Sequence, residues 1–219
     1  MVSDNLKALY EKLPSDVKLV AVSKFHPVSR LMEAYDAGQR LFGENRPQEL
    51  AAKVPQMPSD VEWHFIGHLQ TNKLKLVLPY VSMVQSVDSF HLLEAIDKWG
   101  RDNGKVVDIL LELHLGAEET KHGFSEKDIE SVISSEVEKS HTRIRGLMGM
   151  ATNTEDERVI EADFARIEAL FKRIRAEHPE LADTFTELSI GMSGDWPIAV
   201  RHGATMVRIG TDIFGAREY

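Results

Sequence analysis

The feature of this sequence that most constrains its fold is a regular alternation of strand-type and helix-type segments. Eight short runs rich in apolar and β-branched residues alternate with seven helical patterns, and one amphipathic helix precedes the first run. Because parallel strands need a crossover connection, such alternation is typical of a parallel sheet. Eight strand–helix units predict an α/β fold, a TIM-type (β/α)₈ barrel. The predicted strands are 17–24, 40–44, 61–69, 81–87, 106–115, 144–150, 186–192 and 205–209.

The predicted helices begin and end with the usual signals. Proline opens the helix at 27–37 and glycine follows it, and Ser125 with Asp128 forms a capping box. An open, doubly wound sheet is the alternative to the barrel, but its glycine-rich first turn has no counterpart at 22–27. No linker or repeat interrupts the sequence, so we expect one domain over 1–219. The predicted helices are 6–13, 27–37, 47–53, 72–78, 89–100, 125–140, 155–177 and 194–202.

Composition excludes several classes of function. With no cysteine, the chain forms no disulfide, thiolate metal site or cysteine nucleophile. A net charge of −9 without a Lys/Arg block argues against nucleic-acid and anionic-membrane partners. No apolar stretch approaches the about 18 residues of a membrane span, and residues 1–14 lack the core of a signal peptide. We therefore expect a cytoplasmic protein.

The histidines predict no metal site. His64 and His68 are close in sequence, but on one strand they would lie about 13 Å apart, too far to share an ion. The remaining histidines are scattered along the chain.

Polar residues and glycines follow the predicted strands, at the end of a barrel where active sites lie. Ser193 precedes a helix with Pro197 in its first turn, so its hydroxyl and the free N–H groups of that turn can face one anion. Gly210 and Thr211 offer a second backbone approach and a second hydroxyl. The loops after the last two strands are the usual phosphate site of this barrel. An ordinary helix cap and a strand-ending glycine would give the same pattern, so both roles stay open.

Lys24 ends the first predicted strand directly after an apolar run. A lysine held among apolar groups has a lowered pKa, and its neutral amine can form a Schiff base. A lysine whose ammonium simply reaches solvent fits the spacing better. A phosphorylated cofactor with an aldehyde would use both the lysine and the phosphate site.

At these positions the sequence resembles the pyridoxal-phosphate homeostasis proteins, the YggS/PROSC-like family. The resemblance spans nearly the whole chain. Its motifs are VAVSK at 20–24, FGEN at 42–45, WHFIG at 63–67, LQ at 69–70, NK at 72–73, SVDS at 86–89, GLM at 146–148, LSIGMS at 188–193, MVRIGT at 206–211 and IFG at 213–215. The family implies a fold type III barrel like the N-terminal domain of alanine racemase, which binds pyridoxal 5′-phosphate (PLP).

The resemblance also assigns roles to individual residues. It implies that Lys24 holds PLP covalently as the internal aldimine. The other implied contacts are Ser193, Gly210 and Thr211 at the phosphate, Arg208 at the pyridine nitrogen, and Asn45 and Met150 beside the ring. The sequence departs from the family pattern at His68, Arg46 and Ile190, none of them an implied cofactor ligand, and the first two are expected to alter the mouth of the site.

Racemases with this barrel use a tyrosine of a second domain as their second base. The chain continues for eight residues after Thr211, so we expect no second domain, and no tyrosine follows a predicted strand. We expect a PLP carrier or reservoir in vitamin B6 homeostasis without efficient catalysis, with amino acids and the apo forms of PLP enzymes as further partners. A PLP-dependent amino-acid racemase is the alternative, and a Schiff-base aldolase without PLP is a third hypothesis.

Overall fold

The eight strands form one closed parallel barrel in the computed structural model, which describes residues 1–116, 122–135 and 141–215. Each strand pairs with the next in sequence, and β8 returns to β1 with Lys18 opposite Met206. This pairing confirms the predicted barrel and makes the open-sheet alternative wrong. The strands are β1 Lys18–Val22, β2 Leu41–Glu44, β3 Glu62–Phe65, β4 Met83–Val87, β5 Val107–Leu113, β6 Thr142–Gly149, β7 Glu187–Ser189 and β8 Met206–Ile209.

Helices occupy the predicted connections, and a short one that was not predicted follows β8. Within the described ranges, 3₁₀ turns lie at Val54–Gln56, Thr71–Lys73 and Pro179–Leu181. Among the described residues, no helix has the length and apolarity to cross a bilayer. The α-helices are α1 Val2–Tyr10, α2 Val28–Asp36, α3 Pro47–Lys53, α4 Leu74–Val77, α5 Phe90–Asn103, α6 Glu126–Ser134, α7 Glu157–Glu177, α8 Trp196–Arg201 and α9 Thr211–Phe214.

The helix ends confirm the predicted capping box and correct one predicted helix end. Ser89 accepts a hydrogen bond from the Leu92 N–H at the start of α5, and Ser125 with Asp128 forms the capping box of α6. The predicted stop of α5 at Gly100 is wrong, because the helix continues to Gly104, whose φ of 61° ends it. The last part of the predicted sixth connection, 136–140, lies outside the described residues.

Several predicted strands are too long at their carboxyl ends, whereas the predicted ends of β2, β4 and β8 are confirmed. Strand β3 ends at Phe65 and β7 at Ser189, several residues before the apolar patterns stop. Ladder pairing with the neighbouring strands ends there, and the following residues turn into loops. Those loops carry the polar groups of the candidate site.

The barrel interior is divided between an apolar layer and a polar layer. The apolar layer is a small hydrophobic cluster, separate from the main core that lies between the sheet and the helices. The polar layer consists of the buried, hydrogen-bonded side chains of Arg208, Ser189, Gln85 and His64. The apolar layer consists of Val20, Leu41, Met83, Leu110, Met148 and Met206.

Candidate functional site

A cavity of about 210 Å³ opens at the carboxyl ends of the strands and brings together every residue predicted to bind the cofactor. Its wall draws on the loops after β1, β2, β6, β7 and β8, so the barrel collects residues that are far apart in sequence. The predicted residues in the wall are Lys24, Asn45, Met150, Ser193, Arg208, Gly210 and Thr211. No role was assigned from the sequence to the other lining residues, Val22, His26, Ile66, Met192, Gly194 and Gly215.

A tight turn fixes the position of Lys24. The next residue, Phe25, has φ of 67°, the left-handed region that side chains other than glycine rarely adopt. Two contacts hold it there, since its N–H donates to the Glu49 carboxylate at 2.9 Å and the Arg46 guanidinium lies 4.3 Å from the centre of its ring. The half-buried Lys24 is therefore presented to the cavity by a constrained backbone.

A buried ion pair lies directly under this turn. The ammonium of Lys53 donates to Glu44 Oε1 at 2.6 Å and to the Ser23 carbonyl at 2.9 Å. Ser23 also donates its hydroxyl to Glu44 Oε1. Burial raises the pKa of Glu44, and the charge of Lys53 partly offsets this. Sequence reasoning missed this network, since Lys53 reads as an ordinary residue at the end of a helix.

Arg208 is held rigidly in the polar layer. Its guanidinium donates to Ser189 O and Oγ, both at 2.7 Å, and to Gly149 O at 2.9 Å. The chain of bonds continues from Ser189 to Gln85 and from the Gln85 amide to His64 Nδ1. Burial lowers the pKa of Arg208 to about 10, so the side chain stays charged at neutral pH. Burial likewise lowers the pKa of His64 to about 3, which keeps that ring neutral.

The hydroxyl groups predicted to bind phosphate lie in two neighbouring turns. Helix α8 has Asp195 as its N-cap residue, so Ser193 sits in the turn before the helix instead of at its cap. The Asp195 carboxylate accepts the Met192 N–H and fixes this turn. Gly210 precedes α9, and a Cβ there would come within 3.0 Å of the Val22 carbonyl, so glycine allows β8 to lie close to β1.

Asn45 directly follows β2, and its backbone lies very close to Gly67 in the loop after β3. A Cβ at Gly67 would come within 2.3 Å of the Asn45 carbonyl oxygen, so only glycine permits this approach. The side-chain oxygen of Asn45 is buried and has no hydrogen-bond partner within the described residues. An unpaired buried oxygen is costly, and a polar ligand in the cavity would satisfy it.

A second cavity, of about 280 Å³, adjoins the first and shares Asn45, Ile66 and Met150 with it. Glu112 lines it and is 8% exposed. Burial, together with the Asp88 carboxylate, raises the pKa of Glu112 to about 7, while Arg208 acts in the opposite direction. Sequence reasoning also missed Glu112, which lies within β5 directly after three apolar residues.

Comparison with known proteins places the chain in a family. The family model for the alanine racemase N-terminal domain matches residues 1–218. Pyridoxal phosphate homeostasis proteins of Vibrio alginolyticus and Escherichia coli are both 36% identical to the chain; the matches cover 95% and 94% of it and 90% and 88% of those proteins. The chain belongs to the pyridoxal phosphate homeostasis protein family.

Solved structures agree with the family assignment. PipY of Synechococcus elongatus is 37% identical, and its structures without PLP and with PLP bound superpose with TM-scores of 0.92 and 0.90. Both matches cover 98% of this chain and 100% of PipY. Alanine racemase of Corynebacterium glutamicum superposes with a TM-score of 0.78 at 14% identity, over 98% of this chain and 61% of the racemase, and shows the shared barrel fold.

The three departures from the family pattern fall in different places. Arg46 packs on Phe25 and lies 3.6 Å from Glu49, so it supports the turn that carries Lys24. Ile190 is fully buried in the main core. His68 lines the second cavity.

Proposed function

We propose that this protein binds PLP through a Schiff base on Lys24 and serves in PLP homeostasis as a carrier or reservoir. The observation that carries the proposal is the composition of the first cavity, where a primary amine, two hydroxyl groups and a buried guanidinium line one space. The amine matches the aldehyde of PLP, the two hydroxyl groups match its phosphate, and the guanidinium matches its pyridine nitrogen. The 37% identical PipY, whose structure was solved with PLP bound, supports the same ligand.

The residues present fit the phosphate of PLP. A phosphate dianion is best bound by hydroxyl groups and backbone amides, which form short charge-assisted hydrogen bonds. Ser193 and Thr211 supply the hydroxyl groups, and Gly194 and Gly210 leave the backbone accessible beside them. Gly194 has open space where a Cβ would stand.

Lys24 supplies the covalent attachment. PLP brings an aldehyde and an electron-accepting ring. Lys24 would hold the aldehyde carbon of PLP through its side-chain nitrogen as a carbon–nitrogen double bond, with the carbonyl oxygen released as water. The bond is reversible, as a carrier requires, and other amines can exchange with Lys24.

Arg208 shapes the reactivity of this site. A guanidinium at a pyridine nitrogen can donate a hydrogen bond but cannot accept a proton, so it does not help the ring to take up negative charge. The bonds from Arg208 to Ser189 and Gly149 fix the position of its guanidinium, which supports this proposed role. We therefore propose binding and transfer of PLP in preference to efficient carbanion chemistry.

The described part of the chain supplies no tyrosine to the cavity. Tyr10 donates to Gln39 and Tyr35 to Asp60, and Tyr80 lies outside the cavity wall; Tyr219 lies beyond the described residues.

We expect purified protein to pass PLP to an apo-enzyme and to leave the chirality of alanine, serine, glutamate and lysine unchanged. A chiral assay of these amino acids measures the second point. Inversion at an ordinary enzyme rate, about 1 s⁻¹ or faster, would instead establish a racemase.

Removal of the two hydroxyl groups tests the phosphate site. We expect Ser193→Ala with Thr211→Val to weaken PLP binding by at least about tenfold, since each bond to a charged group contributes about 1.5–3 kcal/mol. Pyridoxal, which lacks the phosphate, should bind poorly to the parent and equally to the variant. Fluorescence titration with both ligands measures this, and Ser131→Ala, on the exposed face of α6, is the control. Equal affinity of the parent for PLP and pyridoxal would contradict the assignment.

A further inference from the structure

The mouth of the second cavity carries a cluster of two histidines and one aspartate. His68 follows β3, Asp88 follows β4, and His122 lies between β5 and α6, so three successive strand ends contribute to it. Their ligand-type atoms all lie within 4.8 Å of one another. Neither the binding of PLP by Lys24 nor the phosphate site uses these groups.

Local structure holds His122 in place. The N–H of Phe124 donates to the Glu112 carbonyl at 2.8 Å, and the His114 N–H donates to the Phe124 carbonyl at 3.0 Å. The residue before Phe124, Gly123, has φ of 125°, and a Cβ there would come within 2.9 Å of the His114 nitrogen. The chain can therefore run close beside the end of β5 and present His122 to the cluster.

The two imidazole rings present the same atom to the same oxygen. Nδ1 of His68 lies 2.8 Å from Asp88 Oδ2, and Nδ1 of His122 lies 3.8 Å from it. The rings are stacked, with centroids 4.0 Å apart and an angle of 19° between their planes. With zinc–ligand bonds of about 2.0–2.1 Å, two ligands of a tetrahedral site lie about 3.3 Å apart, a value between these two distances.

Charge and exposure also suit a cation. The Asp88 side chain is 6% exposed and lies near the buried Glu112, so two carboxyl groups share a region of restricted solvation. The histidine rings are 45% and 62% exposed, which leaves a path from solvent and room for small movements. Two imidazoles and one carboxylate form a common ligand set for zinc and related divalent ions, with further positions left for water.

We propose that His68, Asp88 and His122 form a binding site for a divalent transition-metal ion of the zinc class. The site lies beside the PLP cavity and is independent of what Lys24 binds. The proposal differs from the sequence-based expectation of no metal site. That expectation considered the spacing of histidines along the sequence and not the contacts between residues that follow different strands.

Calorimetric titration of untagged protein with ZnCl₂ in a phosphate-free buffer tests the proposal. We expect one equivalent to bind, and His68→Ala, Asp88→Asn and His122→Ala each to weaken binding by at least about tenfold, since even outer-sphere changes reach this size. His91→Ala removes an exposed histidine of α5 outside the cluster and should leave binding unchanged.

A spectroscopic measurement separates coordination from a purely structural role. Co²⁺ should give visible absorption bands in the parent that weaken in His122→Ala, while the thermal midpoint and PLP content of that variant stay the same. His122 is an exposed side chain, so this variant should fold. Failure of the parent to bind Zn²⁺ saturably, or equal binding by the parent and all three variants, would overturn the proposal. Borohydride trapping at Lys24 is a separate readout that these results do not affect.

Discussion

Replacement of Lys24 by alanine is expected to abolish covalent capture of PLP while the protein stays folded. Lys24 lies after β1 in the cavity wall, outside the main core and the apolar layer, so its truncation removes the amine and little packing. The phosphate-binding groups are untouched, so some non-covalent binding should remain. Reduction with borohydride, followed by mass spectrometry of the intact protein, measures the covalent fraction directly.

Two further variants give this experiment its controls. Lys24→Arg keeps the positive charge but cannot form the bond, and it should also fail to trap PLP. Lys73→Ala changes the half-buried lysine in the NK motif after β3 and should trap PLP like the parent. If Lys24→Ala still carried a reduced adduct, another lysine would hold PLP and the proposed attachment would be wrong.

Among the variants proposed for this protein, Lys53→Met is expected to lower the free energy of unfolding the most. The change leaves the fully buried Glu44 carboxylate without its cation, and breaking one partner of a buried pair costs about 3–5 kcal/mol. The Lys53→Met, Glu44→Gln double variant removes both charges and should recover much of this loss. Urea denaturation of the parent and variants measures the free energy of unfolding. Lys98→Met, which breaks the exposed pair with Asp102, should cost at most about 0.5 kcal/mol.

The stability of Lys53→Met is expected to change with pH in a defined direction. Burial raises the pKa of Glu44 in the folded state, and loss of the Lys53 charge raises it further. A carboxyl whose pKa is higher in the folded than in the unfolded state binds protons more tightly when the protein is folded. The free energy of unfolding therefore falls as the pH rises from the unfolded pKa to the folded pKa. The deficit of Lys53→Met relative to the parent should therefore shrink in mildly acidic buffer. A deficit that does not change with pH would indicate lost packing instead of an unpaired carboxylate.

The barrel could be predicted from the sequence because its signal is periodic and repeated. Alternation of strand and helix patterns is a local property, and eight repetitions leave few topologies open. The strand ends were less predictable, because Phe65 and Ser189 are the last paired residues of β3 and β7 although the apolar pattern continues past them. Gly100 similarly resembles a helix stop, yet it is a point of close contact with the chain at Lys105.

The candidate site was predicted in outline for a different reason. Lys24, Ser193 and Thr211 follow strands, and the closed barrel places all strand ends on one rim. The Lys53–Glu44 pair and the cluster at Asp88 were missed because their partners come from separate elements, and residue types alone do not reveal such contacts. Buried charges and unusual pKa values depend on three-dimensional packing and carry little signal in one sequence.

The pairing of β1 with β8 has a consequence for how the protein reaches its native state. Until the last strand arrives, β1 and β7 present unpaired edges, which invite association with other chains. Contacts between such distant parts of a chain are slow to form. Lys24 follows β1 and Thr211 follows β8, so a ligand held by both would bridge the seam and favour the closed form by mass action. If PLP binds as proposed, it would therefore stabilise the closed barrel against opening at this seam.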